Sequence, residues 1–313
     1  MSTAITIKSY KAATAAAAKA YYAANKYTMR RDGRVKYADF RTVYADRVNV
    51  NFEGNSKTGR VAVVNLSVFY SCDHSQLCYP GENHDCAGAC YGCAGNYNIP
   101  RNQVLYAENV AYFRKHGAAA FAAEVVKQCR IAGAEKMRFF TVGDFMTPSF
   151  IDSVFTVAHE LPNMPIWCYT KRVVMFNAYM RQHGGAGCLP GNLNVIYSLW
   201  TSDAGVIPVL NPYNRPTAVF IPYGRERELA RGCTYICPCA STDSVTDCDH
   251  CQICQRLQPG ESVGFFEHSS VLTKARDAVV NAIHKALRAG GACDDYERSC
   301  ATSERIKARY TAA

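Results

Sequence analysis

The chain has 313 residues, 49% of them apolar by type, and a formal net charge of +9. That length allows one large domain or two modest ones with a substantial core, and no apolar run is long enough to span a bilayer. Sixteen cysteines and the lack of a compact apolar leader predict a reducing, cytoplasmic setting, which argues against a disulfide framework and favours metal ligation for the cysteines that cluster.

In chain order, residues 1–60 hold twelve Lys and Arg against four Asp and Glu, a local balance of +8 that leaves the remainder near neutral. Residues 1–50 read as a basic, alanine-rich helical extension. Such an arm suits a polyanion such as nucleic acid; the alternative is a solvated helix with a basic face. "VAVVNLSVFYS" (61–71) is a β-rich run leading into the first cysteine region. Residues 102–116 and 118–133 read as helices, with Gly133 as a stop, and 136–145 as a buried strand. Thr147 is placed to cap a helix with Pro148 at its first position, and Ile151, Val154, Phe155 and Ala158 follow at i, i+3, i+4 and i+7. Residues 165–172 form the next predicted strand and 173–183 the next helix. Strands at 192–200, 217–224 and 261–268, an amphipathic helix at 271–290 and a polar tail at 291–313 complete the chain.

About six strands interleaved with helices over a core of 51–290 predict an α/β fold. A partial (β/α)6 barrel and an open parallel sheet both fit, each carrying cysteine-rich metal-binding loops. In either, ligands gather at the C-terminal ends of the strands. The first cysteine group, Gly143-Asp144, Thr170-Lys171, Ser198 and the last cysteine group all follow or end strands, so the sequence predicts that they converge on one rim.

The cysteines fall in two groups, at 72–93 and 233–254. Cys86, Cys90 and Cys93 make C-x3-C-x2-C on a loop of small residues. Zinc or an iron–sulfur cluster suits them; three thiolates on a [4Fe–4S] cubane leave one iron open, whereas Cys72 or Cys78 as a fourth ligand closes it. Cys248, Cys251 and Cys254 make C-x2-C-x2-C, and Cys233, Cys237 or Cys239 completes four; we take Cys237. This second group fits a cluster or zinc. Cys129, Cys168 and Cys188 read as small hydrophobes, and Cys293 and Cys300 as incidental.

The segments "CYGCAGNY", "GDF", "CYTKR" and "CDHCQIC" resemble the phage and bacterial gene product 88 domain family over about residues 50–268. A phage origin implies the host cytoplasm. The same order also resembles the radical S-adenosylmethionine (SAM) superfamily. That resemblance implies a [4Fe–4S] cluster at Cys86, Cys90 and Cys93, SAM chelated at the open iron, and a 5′-deoxyadenosyl radical acting on a small-molecule or nucleotide substrate. Gly143-Asp144 stands where the superfamily's Gly-Gly-Glu-type segment meets the SAM ammonium. By the same resemblance Asp144 orients that ammonium, Thr170 and Lys171 line the site with Lys171 holding a carboxylate or phosphate, and Ser198 bonds the ribose; the alternatives are a helix cap at Asp144, a Lys171 that snorkels at the sheet rim and a Ser198 that fills a strand end. The second group becomes an auxiliary cluster. The competing expectation is a non-catalytic nucleic-acid-binding protein stapled by zinc or iron–sulfur.

Overall fold

The computed structural model describes residues 47–54, 58–72, 97, 100–199, 210–221, 225–238 and 246–266, with Glu304 and Ala308. The basic segment before Arg47, Cys78, Cys86, Cys90, Cys93, Cys239, the 271–290 helix and nearly all of the tail lie outside the described residues.

The elements in chain order are β1 (Val50–Asn51), β2 (Ala62–Val64), α1 (Val68–Ser71), α2 (Pro100–Ala132), β3 (Met137–Phe139), α3 (Pro148–Glu160), β4 (Ile166–Thr170) and α4 (Val173–Gln182). After a 3-10 turn (Gly185–Cys188) come β5 (Leu193–Leu199), β6 (Thr217–Ile221), α5 (Glu226–Arg231), β7 (Tyr235–Ile236), α6 (Cys248–Cys251), α7 (Ile253–Arg256) and β8 (Ser262–Phe266). They build one eight-stranded sheet in the order β1-β2-β3-β4-β5-β6-β8-β7. Only the β1–β2 pair is antiparallel. The sheet is not closed: β1 and β7 are its edges.

Strands added one after another in the same direction, through right-handed crossovers, put the connecting helices on one face. That face carries the main core, where Val64, Phe139, Cys168, Val195 and Tyr197 of the strands meet Phe121, Phe150, Val154 and Phe176 of α2, α3 and α4. The alternate residues Val63, Trp167, Ile196, Ala218 and Val263 point the other way and pack with Cys237, Cys251, Ile253 and Leu257. Both faces are therefore buried, which is why the strands read as nearly continuous apolar runs. β4 and β8 stand three strand positions apart, about 14 Å in a flat sheet. The Tyr169 and Phe265 rings nevertheless meet edge-on at 5.8 Å between centroids, so this second face is concave.

Local chemistry sets the helix ends. Gly133 (φ 62) stops α2: its N–H donates to Arg130 O (3.3 Å) and the Ala134 N–H to Cys129 O (3.0 Å), a Schellman pair. Gly117 (φ 80) breaks α2 internally, so residues 102–116 and 118–132 run as two helical pieces, as the sequence predicts. The Thr147 hydroxyl accepts from the Phe150 N–H at 3.2 Å, with Pro148 at the first helical position. Thr147→Ala is expected to cost about 1 kcal/mol of stability, read as a lower urea midpoint with an unchanged m-value.

The strand expectation for 61–71 is corrected. Pairing ends at Val64, and Val68–Ser71 close a helical turn in which the Ser71 N–H donates to Ser67 O (2.8 Å) and the Cys72 N–H to Val68 O (3.1 Å). Tertiary contacts override the β-propensity of this run: Asn65 Oδ1 accepts from the N–H groups of Thr141 (2.8 Å) and Val142 (3.0 Å), and turns the chain at the end of β2.

Candidate functional site

The C-terminal ends of β3, β4 and β5 bring together Gly143, Asp144, Thr170, Lys171 and Ser198. Asp144 is the hub, and it is only 5% exposed. Its Oδ1 accepts from the Thr170 hydroxyl and the Phe145 N–H, each at 2.7 Å, and its Oδ2 from the Lys171 N–H at 2.8 Å. Burial pushes its carboxyl above the usual carboxylate range, against the opposing pull of those three donors and of the Lys171 charge. The carboxylate thus ties the end of β3 to the end of β4.

Lys171 Nζ donates to Ser198 Oγ at 2.7 Å, and both residues are half-buried. Ile196 belongs to the concave face, and Ser198 follows it by two residues, so the Lys171–Ser198 pair stands on that face at the rim. It is the polar, partly accessible part of the cluster.

Gly143 (φ 93) is where backbone meets backbone: a Cβ there would stand 2.6 Å from Leu66 O and 2.9 Å from Ser71 Oγ. Ser71 Oγ also accepts from the Asp144 N–H at 3.3 Å. Sequence reasoning overlooked Ser71 and Asn65; the signal available was three small polar residues, Asn65, Ser67 and Ser71, punctuating an otherwise apolar run.

Two described residues that flank the Cys86, Cys90 and Cys93 triplet in sequence stand at this rim. Cys72, just after α1, and Tyr97 both pack on the small cluster of Val68, Val142 and Tyr106. That cluster adjoins Gly143.

The second cysteine group is not on the rim, and the expectation of a single convergence is corrected. The α6–α7 segment is held at the opposite end of the strands. The Asp249 N–H donates to Thr58 O (3.1 Å), ahead of β2, and Lys136, just before β3, donates to Asp249 O (2.8 Å) and pairs with its carboxylate. Asn194, at the start of β5, donates to Cys254 O (3.0 Å) and Leu257 O (3.1 Å). The physical reason is burial: Ile253 and Leu257 cover the concave face beside Trp167 and Ile196.

Cys237, Cys248, Cys251 and Cys254 belong to this concave cluster. Burial pushes the Cys254 thiol well up, and the other three thiols push the same way. Cys233 lies on the other face among Ile221, Ala230 and Ile236, with its thiol directed to Leu229 O at 3.4 Å. Among the described residues no three His, Cys, Asp or Glu side chains form a group that holds a single metal ion.

Cys129 and Cys168 are buried in the main core, and burial raises both thiols, Cys129 to about 11. The nine described cysteines are all free thiols. No helix among the described residues is long and apolar enough to cross a membrane.

No curated protein and no solved structure matches the chain, and the resemblance to the radical SAM superfamily gains no support from these comparisons. A family model described as Gene product 88 matches residues 45–295, which take in the curled sheet, the Asp144 rim and both cysteine groups. The chain therefore belongs to the Gene product 88 family.

Proposed function

We propose that the protein is a radical SAM-type enzyme in which Cys86, Cys90 and Cys93 hold a [4Fe–4S] cluster with one iron left for SAM, above the rim of Asp144, Thr170, Lys171 and Ser198. The observation that carries this reading is the shared anchorage of Cys72 and Tyr97 beside Gly143. The described residues that flank the three cysteines, Cys72 and Tyr97, stand at the C-terminal ends of the strands, and Tyr97 comes four positions after Cys93, a reach of about 14 Å. An α/β sheet with sequential parallel strands and a concave face suits a ligand at that end.

The residues present fit such a group in a defined way. When bound, the cluster and SAM supply one-electron cleavage of SAM, giving a radical that abstracts hydrogen from substrate. The chain's own part is positioning. Asp144 holds the Thr170 hydroxyl and the Lys171 backbone in place rather than meeting a ligand, because its oxygens are already turned to three protein donors. Lys171 presents a cation at the rim, held by Ser198, and a carboxylate or phosphate is its natural counter-ion. Ser198 keeps acceptor and donor capacity for a ligand hydroxyl. The substrate class that follows is an anionic small molecule or nucleotide.

Electron paramagnetic resonance of the anaerobic, dithionite-reduced protein tests this. SAM should alter the spectrum in the wild type and in Lys171→Ala only at higher concentration, with iron content unchanged by that substitution. A reduced-cluster spectrum indifferent to saturating SAM would overturn the reading.

A further inference from the structure

The concave face holds a second concentration of chemistry that the rim does not use. Four thiols reach it from two separate stretches. Cys237 follows β7, with its N–H bonded to Gly264 O at 2.9 Å, and the other three lie on α6 and α7. The stretch is built rather than incidental. Asp247 caps α6 by accepting from the His250 N–H at 3.0 Å, and Gln255 Nε2 donates to Cys248 O at 3.2 Å. Period-2 alternation sends Cys237 inward and Ile236 outward, and Cys233 faces the helix side with Ile236.

The surroundings supply donors and positive charge. The Tyr169 hydroxyl and the Cys254 thiol are close enough to act on each other electrostatically, and the Arg138 guanidinium lies over the Tyr169 ring at 4.9 Å. Trp167 sits in the row between Arg138 and Asn194. Its indole N–H is buried and has no acceptor. A neutral thiol is a weak acceptor, and an orphaned buried N–H costs free energy. Metal-bound thiolates and bridging sulfides are acceptors that suit both donors, and their net negative charge suits Arg138.

Acceptor chemistry separates the candidates. A zinc ion at about 2.3 Å from each sulfur gathers four sulfurs within roughly 4 Å of one another. The described side chains form no such single-ion group, although the Cys254 thiol interacts with the other three. An iron–sulfur cluster also carries bridging sulfides, which offer the buried donors acceptors that a lone zinc ion does not bring.

We propose that Cys237, Cys248, Cys251 and Cys254 hold a second iron–sulfur cluster, closed by four protein thiolates and lodged on the concave face below the rim, with the Trp167 N–H and the Tyr169 hydroxyl as donors to its sulfurs. With every iron ligated by the chain, this centre takes no substrate. It fastens the α6–α7 segment across the N-terminal half of the sheet.

The test uses the full chain bearing Cys86→Ala, Cys90→Ala and Cys93→Ala, purified anaerobically and analysed for iron, sulfide and zinc. About four iron and four sulfide per chain are expected, and adding Cys254→Ser should remove them. Trp167→Phe in the same background should keep the iron and move the reduction potential to a more negative value, since a donor to sulfur is lost. Zinc in place of iron, or no metal in the triple variant, overturns the proposal; an unchanged potential overturns the Trp167 role. Equal iron in the wild type and the triple variant would support this centre while removing the rim cluster, so the two readings fail separately.

Discussion

Asp144→Ala is expected to lower stability by about 3 kcal/mol, the net of losses and relief at one buried carboxylate. The substitution orphans the Thr170 hydroxyl, the Phe145 N–H and the Lys171 N–H, which now sit 2.7–2.8 Å from its oxygens. Each buried donor left unmet costs about 1–3 kcal/mol. Removing a desolvated charge gives part of this back, since burial already raises the Asp144 carboxyl. Urea unfolding at neutral pH measures the net.

The pH dependence has a definite sign. A folded-state value raised above the unfolded one means that the folded protein binds the proton more tightly. The associated stability is fully present below the unfolded carboxyl value and is lost as pH rises through the folded one. The stability of the wild type relative to Asp144→Asn should therefore become less favourable as pH rises through the acid range. A trend in the opposite direction would show that the three donors outweigh burial.

Gly143→Ala should be comparably damaging, at about 2–4 kcal/mol. Two penalties combine. The left-handed φ of 93 is costly for alanine, and the new Cβ would lie 2.6 Å from Leu66 O and 2.7 Å from Leu66 Cβ. Backbone cannot step aside as a flexible side chain can. Gly117 is the internal control: its φ is 80, but a Cβ there meets nothing within 4 Å. Gly117→Ala should show a conformational cost alone, about 1–3 kcal/mol for a backbone at φ 80 and ψ −178 that glycine alone adopts readily. Matching losses at both positions in thermal unfolding would mean that the close approach at Leu66 contributes nothing.

Much of this organisation was legible in the chain. Gly133 and Thr147 mark helix ends through local chemistry alone, and the parallel, sequential sheet follows from alternating strand and helix patterns. Gly143-Asp144, Thr170-Lys171 and Ser198 could be placed together because the ends of adjacent parallel strands share a rim. What could not be read was set by distant partners. The run at 61–71 carries strand residues, yet Asn65 bonds to Thr141 and Val142, 76 and 77 positions away. The α6–α7 segment follows a strand in sequence, but Lys136, 113 positions away, holds it at the opposite end of the sheet. Asp144 looks like a ligand-facing acid in sequence; its inward orientation depends on Thr170, which no local pattern reveals. Choosing between Cys233 and Cys237 required knowing that β7 lies on β8, since only then does alternation assign them to opposite faces.

SAM cleavage at the rim is tested most directly by product analysis. Iron-loaded, dithionite-reduced protein incubated anaerobically with SAM should release 5′-deoxyadenosine and methionine slowly without added substrate, and the Cys86→Ala, Cys90→Ala, Cys93→Ala protein should release neither. Absence of 5′-deoxyadenosine from protein shown to carry reducible iron and sulfide would contradict the account.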